Sequence, residues 1–307
     1  MTPCPVCQAS DAVTLFTDRN RRGDYDASFT ASYVQCRRCR HIHLDPVPDA
    51  RELRSLYSDS VATAPDGRWA RLAARVDTIT SRFTDGRRYR HSLPRGSGAS
   101  RKLLDVGCND GEKLLGFHER GWEISGVDVS GPAIEAARAR LPGGTFYRGT
   151  LAEAGFAAGS FDCVRIDNVL EHVARPIELL AEIHRVLAPG GQLFVYVPNG
   201  ESFTLTCLKR YSINSWIPYH VSLFTRASLA LALGKAGFGA GDVTWYPCTP
   251  LPWLYLSFKQ LLLGKSTEAM SVLEKCGACL LTPLALGLNL TPLAEELVAR
   301  AVKSRRG

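Results

Sequence analysis

Residues 101 to 250 alternate between short apolar segments and amphipathic segments, and few folds are compatible with this alternation. The predicted strands are LLDVG (103–107), WEISGVDV (122–129), TFYRG (145–149), FDCVRIDN (161–168), QLFVYVPN (192–199) and DVTWYP (242–247). The predicted helices are EKLLGFHER (112–120), GPAIEAARARL (131–141), PIELLAEIHRVL (176–187) and RASLALALGKAGF (226–238). Strands that alternate with helices predict a parallel α/β sheet, since each crossover helix covers one face of the sheet.

The first predicted strand runs into a glycine loop, LLDVGCNDG (103–111). A strand, a glycine loop and a helix form a ligand site at the carboxyl edge of a parallel sheet. A dinucleotide site requires the spacing G-x-G-x-x-G, which lets a pyrophosphate reach the helix N-terminus. Here the spacing is Gly107-x-x-x-Gly111, and the loop carries Asp105 and Asp110. Because carboxylates repel a pyrophosphate, the loop favours a ligand with an ammonium group and no phosphate.

The second predicted strand ends in GVDVS, which places Asp128 at its tip. A carboxylate at this position can accept hydrogen bonds from both hydroxyl groups of a ribose. An adenosine with an amino-acid tail and no phosphate is S-adenosylmethionine. The two strand ends together predict that S-adenosylmethionine is the cofactor.

These motifs resemble class I S-adenosylmethionine-dependent methyltransferases. The resemblance runs from LLDVGCNDG through GVDVS and GTLAEAGF to FDCVRIDNVLEHVARP and LAPGGQLFVYVPN, over about residues 101 to 250. It implies an α/β, Rossmann-like sheet of seven strands with the last strand antiparallel. The cofactor-binding residues that it implies are Asp105, Gly107, Cys108, Asn109, Gly111, Asp128, Val129, Thr150, Leu151 and Asn168.

Roles follow from the same resemblance. Asp105 and the loop glycines would line the methionine end, Asp128 would bind the ribose, and Val129 would contact the adenine. Asn168 would lie near the methionine amino group and the transferable methyl group. Thr150 stands where many relatives carry an aspartate near the adenine amine, so that contact differs here.

Four cysteines near the N-terminus form two pairs, Cys4-x-x-Cys7 and Cys36-x-x-Cys39, with 28 residues between them. Four thiolates complete a closed tetrahedral site, so we predict structural zinc; disulfides or idle thiols are the alternative. The neighbouring His41 and His43 could replace a cysteine, although the spacing favours Cys39. The pattern CPVC…CRRCRHIHLDPVP…LRSLY resembles the N-terminal zinc module of bacterial methyltransferases of sugar and polysaccharide pathways, which methylate carbon or oxygen.

Methyl transfer needs an aligned nucleophile and a group that removes its proton, and histidine titrates in the useful range. We predict His220, in WIPYHVSLFT, as the general base, with Tyr219 orienting it. His172, in NVLEHVARP, is the second candidate as a base or substrate contact. Either histidine could instead be structural, and Glu171 is a ready partner for His172.

The 307-residue chain is 45% hydrophobic and 22% charged, which is typical of a globular protein, and its net charge is +7. We divide it into a zinc-binding module (1–50), a helical, basic connecting region (51–100), the methyltransferase core (101–250) and an apolar helical cap with a final edge strand (251–307). The sequence begins MTPCPVC, without a secretory signal, so we expect a cytoplasmic protein.

The predicted acceptor is a small hydroxylated metabolite, a sugar or nucleotide-sugar, methylated on oxygen or carbon. One alternative is RNA, bound by the zinc module and the basic arm 70–90; we do not favour it, because the arm has few aromatic residues for stacking bases. Another is a lipid or quinone acceptor, supported by the apolar segment 251–294 alone. That segment contains a charge-free run, 276–294, interrupted by Pro283, Gly287, Asn289 and Pro292. The simpler interpretation is a helical cap or homodimer surface, and the alternative is peripheral membrane contact.

Overall fold

The structure is a computed structural model of the chain, and it describes residues 2–20, 28–57, 101–264 and 270–305. Most of the predicted connecting region 51–100, including the basic arm 70–90, lies outside the described residues.

Eleven strands are present in the described residues. They are β1 (Ala12–Arg19), β2 (Thr30–Cys36), β3 (Ile42–Asp45), β4 (Lys102–Val106), β5 (Glu123–Asp128), β6 (Thr145–Arg148), β7 (Phe161–Asp167), β8 (Leu187–Pro198), β9 (Ser222–Leu223), β10 (Val243–Cys248) and β11 (Glu296–Val302).

The α-helices of the same ranges follow the alternation in the sequence. They are α1 (Ala50–Ser55), α2 (Leu115–His118), α3 (Gly131–Arg140), α4 (Leu151–Ala154), α5 (Pro176–Val186), α6 (Phe203–Leu208), α7 (Arg226–Lys235), α8 (Leu251–Leu263), α9 (Val272–Ala278) and α10 (Thr282–Leu288). Short 3₁₀ turns cover Glu112–Leu114, Leu170–His172, Lys209–Tyr211, Ala240–Asp242 and Cys279–Leu281.

The larger sheet has seven strands in the order β10-β11-β8-β7-β4-β5-β6. Strands β8, β7, β4, β5 and β6 are parallel neighbours, and β11 runs antiparallel to both β8 and β10. This arrangement confirms the predicted Rossmann-like sheet of seven strands with an antiparallel last strand. The parallel strands bring the ends of β4, β5 and β7 to one edge of the sheet, where a ligand can bind.

The final strand expected in ELVARAVKSR (296–305) is present, but its predicted position at the edge of the sheet is wrong. Strand β11 lies inside the sheet, paired with β8 on one side and β10 on the other, so that Glu296 faces both Pro198 and Cys248. Its residues Val298 and Ala299 are buried, as an internal strand requires. The edge position belongs to β10, because the chain leaves the sheet after β10 and returns between two existing strands.

The predicted helix 112–120 is also shorter than expected. A 3₁₀ turn at Glu112–Leu114 leads into the single turn of α2, and Gly121, with φ 79°, reverses the chain before β5. This segment buries the side chains of Leu114 and Phe117 in the core, and the partly buried Leu115 packs against the same cluster. The helix is short because the chain turns at Gly121 and enters β5 two residues later.

The smaller sheet, β1-β2-β3-β9, combines N-terminal residues with residues of the core. Strand β9 pairs with β3, so that Ile42 lies opposite Leu223. The backbone N–H of Leu44 also donates to the carbonyl of Val221, at 3.0 Å. The N-terminal sheet is therefore built onto the segment that follows His220.

The apolar segment 251–294 folds into α8, α9 and α10. Leu254, Ala278, Ala285 and Leu288 form a small buried cluster between these helices. On the outer side, Leu273, Leu280 and Leu290 are each more than four-fifths exposed. In the described ranges, every helix is too short or too polar to cross a lipid bilayer.

Candidate active site

The loop after β4 is fixed to the end of β5. Gly107 and Gly111 have φ values of 76° and 74°, and Asn109 has φ 48°, conformations that favour glycine and asparagine. The N–H groups of Gly107 and Cys108 donate to the carbonyl of Val127, at 2.8 and 3.1 Å. The chain also approaches the end of β7 closely, because a Cβ atom on Gly107 would lie 2.2 Å from Cγ2 of Val169.

Asp128, at the tip of β5, accepts hydrogen bonds from the backbone on both carboxylate oxygens. The N–H of Asn109 donates to Oδ2 and the N–H of Ser130 donates to Oδ1, each at 2.9 Å. Each oxygen of an ionised carboxylate can accept a second hydrogen bond. The arrangement therefore holds the carboxylate in one orientation and keeps capacity for the two hydroxyl groups of a ribose.

The second acid of the loop has a different role from the predicted one. The guanidinium of Arg140, on α3, donates to Oδ2 of Asp110 at 2.6 Å and to its backbone carbonyl at 3.0 Å. The buried Asp110 is thus neutralised by the protein itself. Of the pair that the sequence argument assigned to a cationic ligand, Asp105 is the one with a carboxylate oxygen, Oδ1, that has no hydrogen-bond partner among the described residues.

Asp105 lies in a buried group of charges that the sequence analysis missed. Arg165, on β7, donates to Oδ2 of Asp105 at 3.5 Å and to Oδ2 of Asp167 at 3.2 Å. Lys113 donates to the same atom of Asp167 at 2.9 Å. Burial, opposed by Arg165, raises the pKa of Asp105 to about 6. The signal in the sequence was a charged pair, R-x-D, inside the apolar segment FDCVRIDN.

Two acceptor atoms at this edge are buried and have no hydrogen-bond partner among the described residues. They are Oδ1 of Asp105 and Oδ1 of Asn168, which has φ 55° at the end of β7. Buried acceptors without a donor are unfavourable, so this region fits a ligand that brings a donor. The ammonium group of S-adenosylmethionine is such a donor, and the residues present therefore fit the cofactor.

The remaining predicted cofactor residues surround this region. Val129 follows Asp128 and is partly exposed, while Cys108 and Leu151 are buried. Thr150 caps α4: its side chain accepts from the N–H of Glu153, and the Glu153 carboxylate accepts from the N–H of Thr150. The residue that departs from the family pattern thus has a local structural role.

The turn after β7 carries Glu171 and His172. Nδ1 of His172 lies 2.9 Å from the carbonyl of Tyr219 and 2.8 Å from the hydroxyl of Tyr57. Its Nε2 lies 3.8 Å from Oε1 of Glu171. Glu171 is 1% exposed, and neither carboxylate oxygen has a hydrogen-bond partner in the described chain. Burial raises the pKa of Glu171 well above its ordinary value and lowers the pKa of His172 to about 4.

The segment 214–220 brings His220 to the same place. Nδ1 of His220 lies 2.9 Å from the carbonyl of Asn214, and its ring centre lies 4.9 Å from that of His172. The hydroxyl of Tyr33, on β2, donates to the carbonyl of His220 at 2.9 Å. The two predicted histidines are therefore adjacent, and the N-terminal sheet holds one of them.

Aromatic rings surround the two histidines. Trp216 and Tyr219 stack with ring centres 4.6 Å apart, and Tyr57 meets Tyr219 edge-on at 5.7 Å. Tyr219 contacts His172 through its backbone carbonyl. The sequence analysis did not single out Trp216 or Tyr57, although both are aromatic residues in quoted motifs.

The sulfur atoms of Cys4, Cys7, Cys36 and Cys39 all lie within 4.8 Å of one another. The Sγ atoms are 3.5 Å apart for Cys4 and Cys39 and 3.4 Å apart for Cys7 and Cys36, and all four thiols are free. Sulfur atoms 2.3 Å from a tetrahedral zinc ion would be about 3.8 Å apart. The observed geometry fits that ion.

A parallel sheet with an antiparallel strand next to its edge, a glycine loop tied to an acidic strand tip, and buried acceptors for an ammonium group define a class: S-adenosylmethionine-dependent methyltransferase domains. A family model described as a methyltransferase domain matches residues 80–240, more than half of the chain. The chain belongs to this methyltransferase domain family.

Curated relatives match parts of the chain. A ubiquinone biosynthesis O-methyltransferase of Cereibacter sphaeroides is 31% identical over 180 residues, which cover 55% of this chain and 73% of the relative. An uncharacterized 37.1 kDa protein in transposon TN4556 of Streptomyces fradiae is 38% identical over 108 residues, 33% of this chain and 31% of that protein. The match to a ubiquinone biosynthesis O-methyltransferase of Pseudomonas aeruginosa covers 46% of its length. The matched residues thus span less than half of two of these three relatives.

Solved structures share the fold at low sequence identity. One is in a complex between the Haloferax volcanii Trm112 methyltransferase activator and a methyltransferase, with a TM-score of 0.51, 18% identity, and coverage of 76% of this chain and 95% of that chain. Another is geranyl diphosphate methyltransferase with GPP and sinefungin, with a TM-score of 0.50, 17% identity, and coverage of 80% and 88%.

Proposed function

We propose that this chain transfers the methyl group of S-adenosylmethionine to a hydroxyl oxygen of a small acceptor. The observation that supports this most directly is the meeting of Glu171, His172 and His220 next to Asn168, at the strand end where the methyl group of the cofactor is expected. Acidic and imidazole groups together suit an acceptor that must be held by a hydroxyl and must lose a proton.

S-adenosylmethionine supplies a methyl group on a positively charged sulfur. Transfer forms an O–C bond while the C–S bond breaks, the bonding pair returns to sulfur, and the hydroxyl proton leaves. The chain has to align the oxygen with the methyl group and manage that proton. We assign both tasks to His220 and His172, with the carbonyl of Tyr219 orienting His172. His220 as the general base stays a prediction from the sequence.

We assign cofactor binding to Asp105, Asp128 and Asn168, with the backbone between Gly107 and Gly111. The buried oxygens of Asp105 and Asn168 support binding of the ammonium group. The fixed carboxylate of Asp128 supports binding of the ribose.

A coupled assay for S-adenosylhomocysteine release, with a panel of sugars, nucleotide-sugars and phenols, tests this function. We expect turnover with a hydroxylated acceptor, and a fall of about 100- to 10,000-fold in His220→Ala and His172→Ala. Calorimetric titration with S-adenosylhomocysteine shows whether each variant keeps its cofactor affinity. Full turnover in both variants would contradict the assignment, and so would a panel that is inert with the intact protein.

Sugars and nucleotide-sugars are the first acceptor class, as predicted from the sequence. A phenolic quinone precursor is the second candidate, and two observations favour it. Relatives named ubiquinone biosynthesis O-methyltransferase match the core. The outer side of α9, the 3₁₀ turn Cys279–Leu281 and α10 exposes Leu273, Leu280 and Leu284 at near-helical spacing, where a surface helix normally carries polar residues. Oγ of Ser257, on α8, accepts from the N–H of Ile213. This hydrogen bond connects the helical segment to the residues just before 214–220, the segment that carries His220.

Flotation with vesicles of anionic phospholipid tests the second candidate. We expect the intact protein to float with the vesicles and the double variant Leu273→Ser/Leu280→Ser to stay in the bottom fraction. Both side chains are exposed, so these changes have little effect on folding. An intact protein that does not float would count against a membrane-borne acceptor.

We also propose that Cys4, Cys7, Cys36 and Cys39 bind one structural zinc ion. The short distances between the sulfur atoms support this. We expect at least one zinc per chain by elemental analysis and the loss of one in Cys36→Ser/Cys39→Ser, with Cys207→Ser, an exposed cysteine elsewhere, as the control. Zinc-free intact protein would overturn the assignment.

A further inference from the structure

The two histidines beside Glu171 are held in a way that suits ligation. Nδ1 of His172 faces the carbonyl of Tyr219, and Nδ1 of His220 faces the carbonyl of Asn214, each at 2.9 Å. A carbonyl can only accept a hydrogen bond, so the tautomer of each ring that satisfies this contact carries its proton on Nδ1 and its lone pair on Nε2. An imidazole N–H bound to a backbone carbonyl is the usual support for a histidine that ligates a metal through its other nitrogen.

Glu171 provides a second and independent observation. Its side chain is buried, and neither carboxylate oxygen has a hydrogen-bond partner in the described ranges. Leaving a buried carboxylate without a donor or cation is costly. The carboxylate also points toward the histidines, because Oε1 lies 3.8 Å from Nε2 of His172.

Ligand atoms of Glu171, His172 and His220 lie within 4.8 Å of one another. Nitrogen and oxygen atoms 2.0–2.2 Å from a tetrahedral ion are about 3.4 Å apart, so small side-chain adjustments close the set around an ion. Two imidazoles and one carboxylate form the ligand set of open zinc sites, in which a fourth position is left for water or substrate.

We propose that Glu171, His172 and His220 bind a divalent cation of the zinc class, whose open position takes the acceptor's hydroxyl oxygen. This inference rests on the proposed methyl transfer to a hydroxyl oxygen and deepens it by assigning His172 and His220 to an ion instead of to the proton. A cation lowers the pKa of an oxygen bound to it, so the hydroxyl proton passes to water and the oxygen attacks without a histidine base. The ion keeps its charge throughout, and no oxidant or reductant is needed. In this arrangement the histidines are ligands, and the cation replaces His220 as the group that activates the oxygen.

Metal content without any acceptor tests the site. Protein stripped of metal is titrated with Zn²⁺ in a calorimeter, and we expect two equivalents to bind. Cys36→Ser/Cys39→Ser should lose one equivalent and Glu171→Gln or His220→Ala the other, whereas His184→Ala, a histidine on α5, keeps both. Glu171→Gln preserves shape, and circular dichroism verifies that each variant is folded.

Co²⁺ separates the two sites by spectrum. Thiolate ligands give strong sulfur-to-metal absorption, which should disappear in the cysteine variant, while weaker bands of the nitrogen and oxygen site remain and disappear in His220→Ala. Binding of a single equivalent that is indifferent to Glu171→Gln and His220→Ala would overturn the inference. Protein that binds S-adenosylhomocysteine and methylates an acceptor without a second ion would contradict the metal site and support the proposed function. Protein that binds the ion but methylates no hydroxylated acceptor would support the metal site and contradict the proposed function.

Discussion

On the cofactor side of the sheet edge, the carboxylates of Asp110 and Asp128 already accept hydrogen bonds from the protein, and the glycine loop is tied to β5. On the acceptor side, Glu171 is buried with no hydrogen-bond partner for either oxygen in the described chain, beside two neighbouring imidazoles. The first side is organised before its ligand arrives, apart from the Oδ1 atoms of Asp105 and Asn168, which have no hydrogen-bond partner in the described ranges. The second side contains a buried carboxylate with no hydrogen-bond partner on either oxygen in the described chain, so we expect the specificity for the acceptor to reside there.

The largest expected effect tests how closely the cofactor side is packed. In Gly107→Ala the new Cβ would lie 2.2 Å from Val169, so the loop and the end of β7 must separate. We expect affinity for S-adenosylhomocysteine to fall by at least about 100-fold, which is roughly 3 kcal/mol, as measured by calorimetry.

Gly155→Ala is the matched control, since Gly155 also has positive φ, 64°, but nothing within 4 Å of its Cβ position. That variant has the backbone strain of about 1 kcal/mol without the collision. Adding Val169→Ala to Gly107→Ala should restore part of the affinity. Equal affinities for Gly107→Ala and Gly155→Ala would mean that the loop is not closely packed.

The next effect concerns the buried charge of Asp105. Its pKa in the folded chain is about 6, raised by burial above the ordinary value of 3.8. A raised pKa means that the folded state holds the proton more tightly, so this stabilising contribution is complete below about pH 4 and is lost as the pH rises through about 6. The loss amounts to about 3 kcal/mol.

Urea unfolding of the cofactor-free protein at pH 4.5 and pH 7.5 measures about two thirds of that contribution, or about 2 kcal/mol. Asp105→Asn should remove it, so that the difference between the two pH values becomes smaller or changes sign relative to the intact protein. Asp11→Asn, on the surface, should not change the difference. An unchanged pH profile in Asp105→Asn would show that Arg165 compensates the buried charge fully.

A smaller effect is expected for Asp128→Asn. The amide can still accept one hydrogen bond but loses the charge-assisted bond to a ribose hydroxyl, which corresponds to about 2 kcal/mol, or roughly 30-fold in cofactor affinity. Calorimetry with S-adenosylhomocysteine measures this. Asp162→Asn, whose carboxylate accepts from the N–H of Lys102 at the opposite end of β4, should leave the affinity unchanged.

The smallest effect is expected on the acceptor side. Tyr57→Phe removes the hydroxyl 2.8 Å from Nδ1 of His172 and keeps the ring. A single hydrogen bond is worth about 1 kcal/mol, so we expect turnover to fall by roughly 5-fold while cofactor affinity stays constant. If the affinity falls and turnover does not, Tyr57 belongs to the cofactor side and the comparison drawn above is wrong at that residue.

The sequence predicted the sheet well because buried parallel strands are short apolar runs bounded by glycine and acidic residues. It did not predict that β11 lies inside the sheet, since the order of strands depends on pairing between distant segments. Asp110 was misassigned for the same reason: its partner Arg140 comes from another helix. His172 and His220 lie on separate loops. The hydrophobic periodicity of a sequence does not show which loops meet in the fold, so their adjacency was not predicted.

The sequence analysis identified some residues of the proposed acceptor region and missed others. His172 and His220 stood out because histidine is rare and both follow predicted strands. Trp216 and Tyr57 gave no such signal, because an isolated aromatic residue is more often part of a core. Glu171 was recognised only as a partner of His172, and burial without hydrogen bonds is a property that no sequence pattern reveals.

The contact between Tyr33 and the carbonyl of His220, together with the pairing of β3 with β9, has a consequence for how acceptor preference can change. The cysteine-bearing sheet and the loop that carries His220 are joined by backbone hydrogen bonds, so a shift of one moves the other. Exchanging the first fifty residues with those of a relative would therefore change the orientation of His220 and leave the cofactor-binding residues on β4 and β5 unchanged. Removing the zinc ion that we propose for the four cysteines should, by the same linkage, lower turnover before it lowers cofactor uptake.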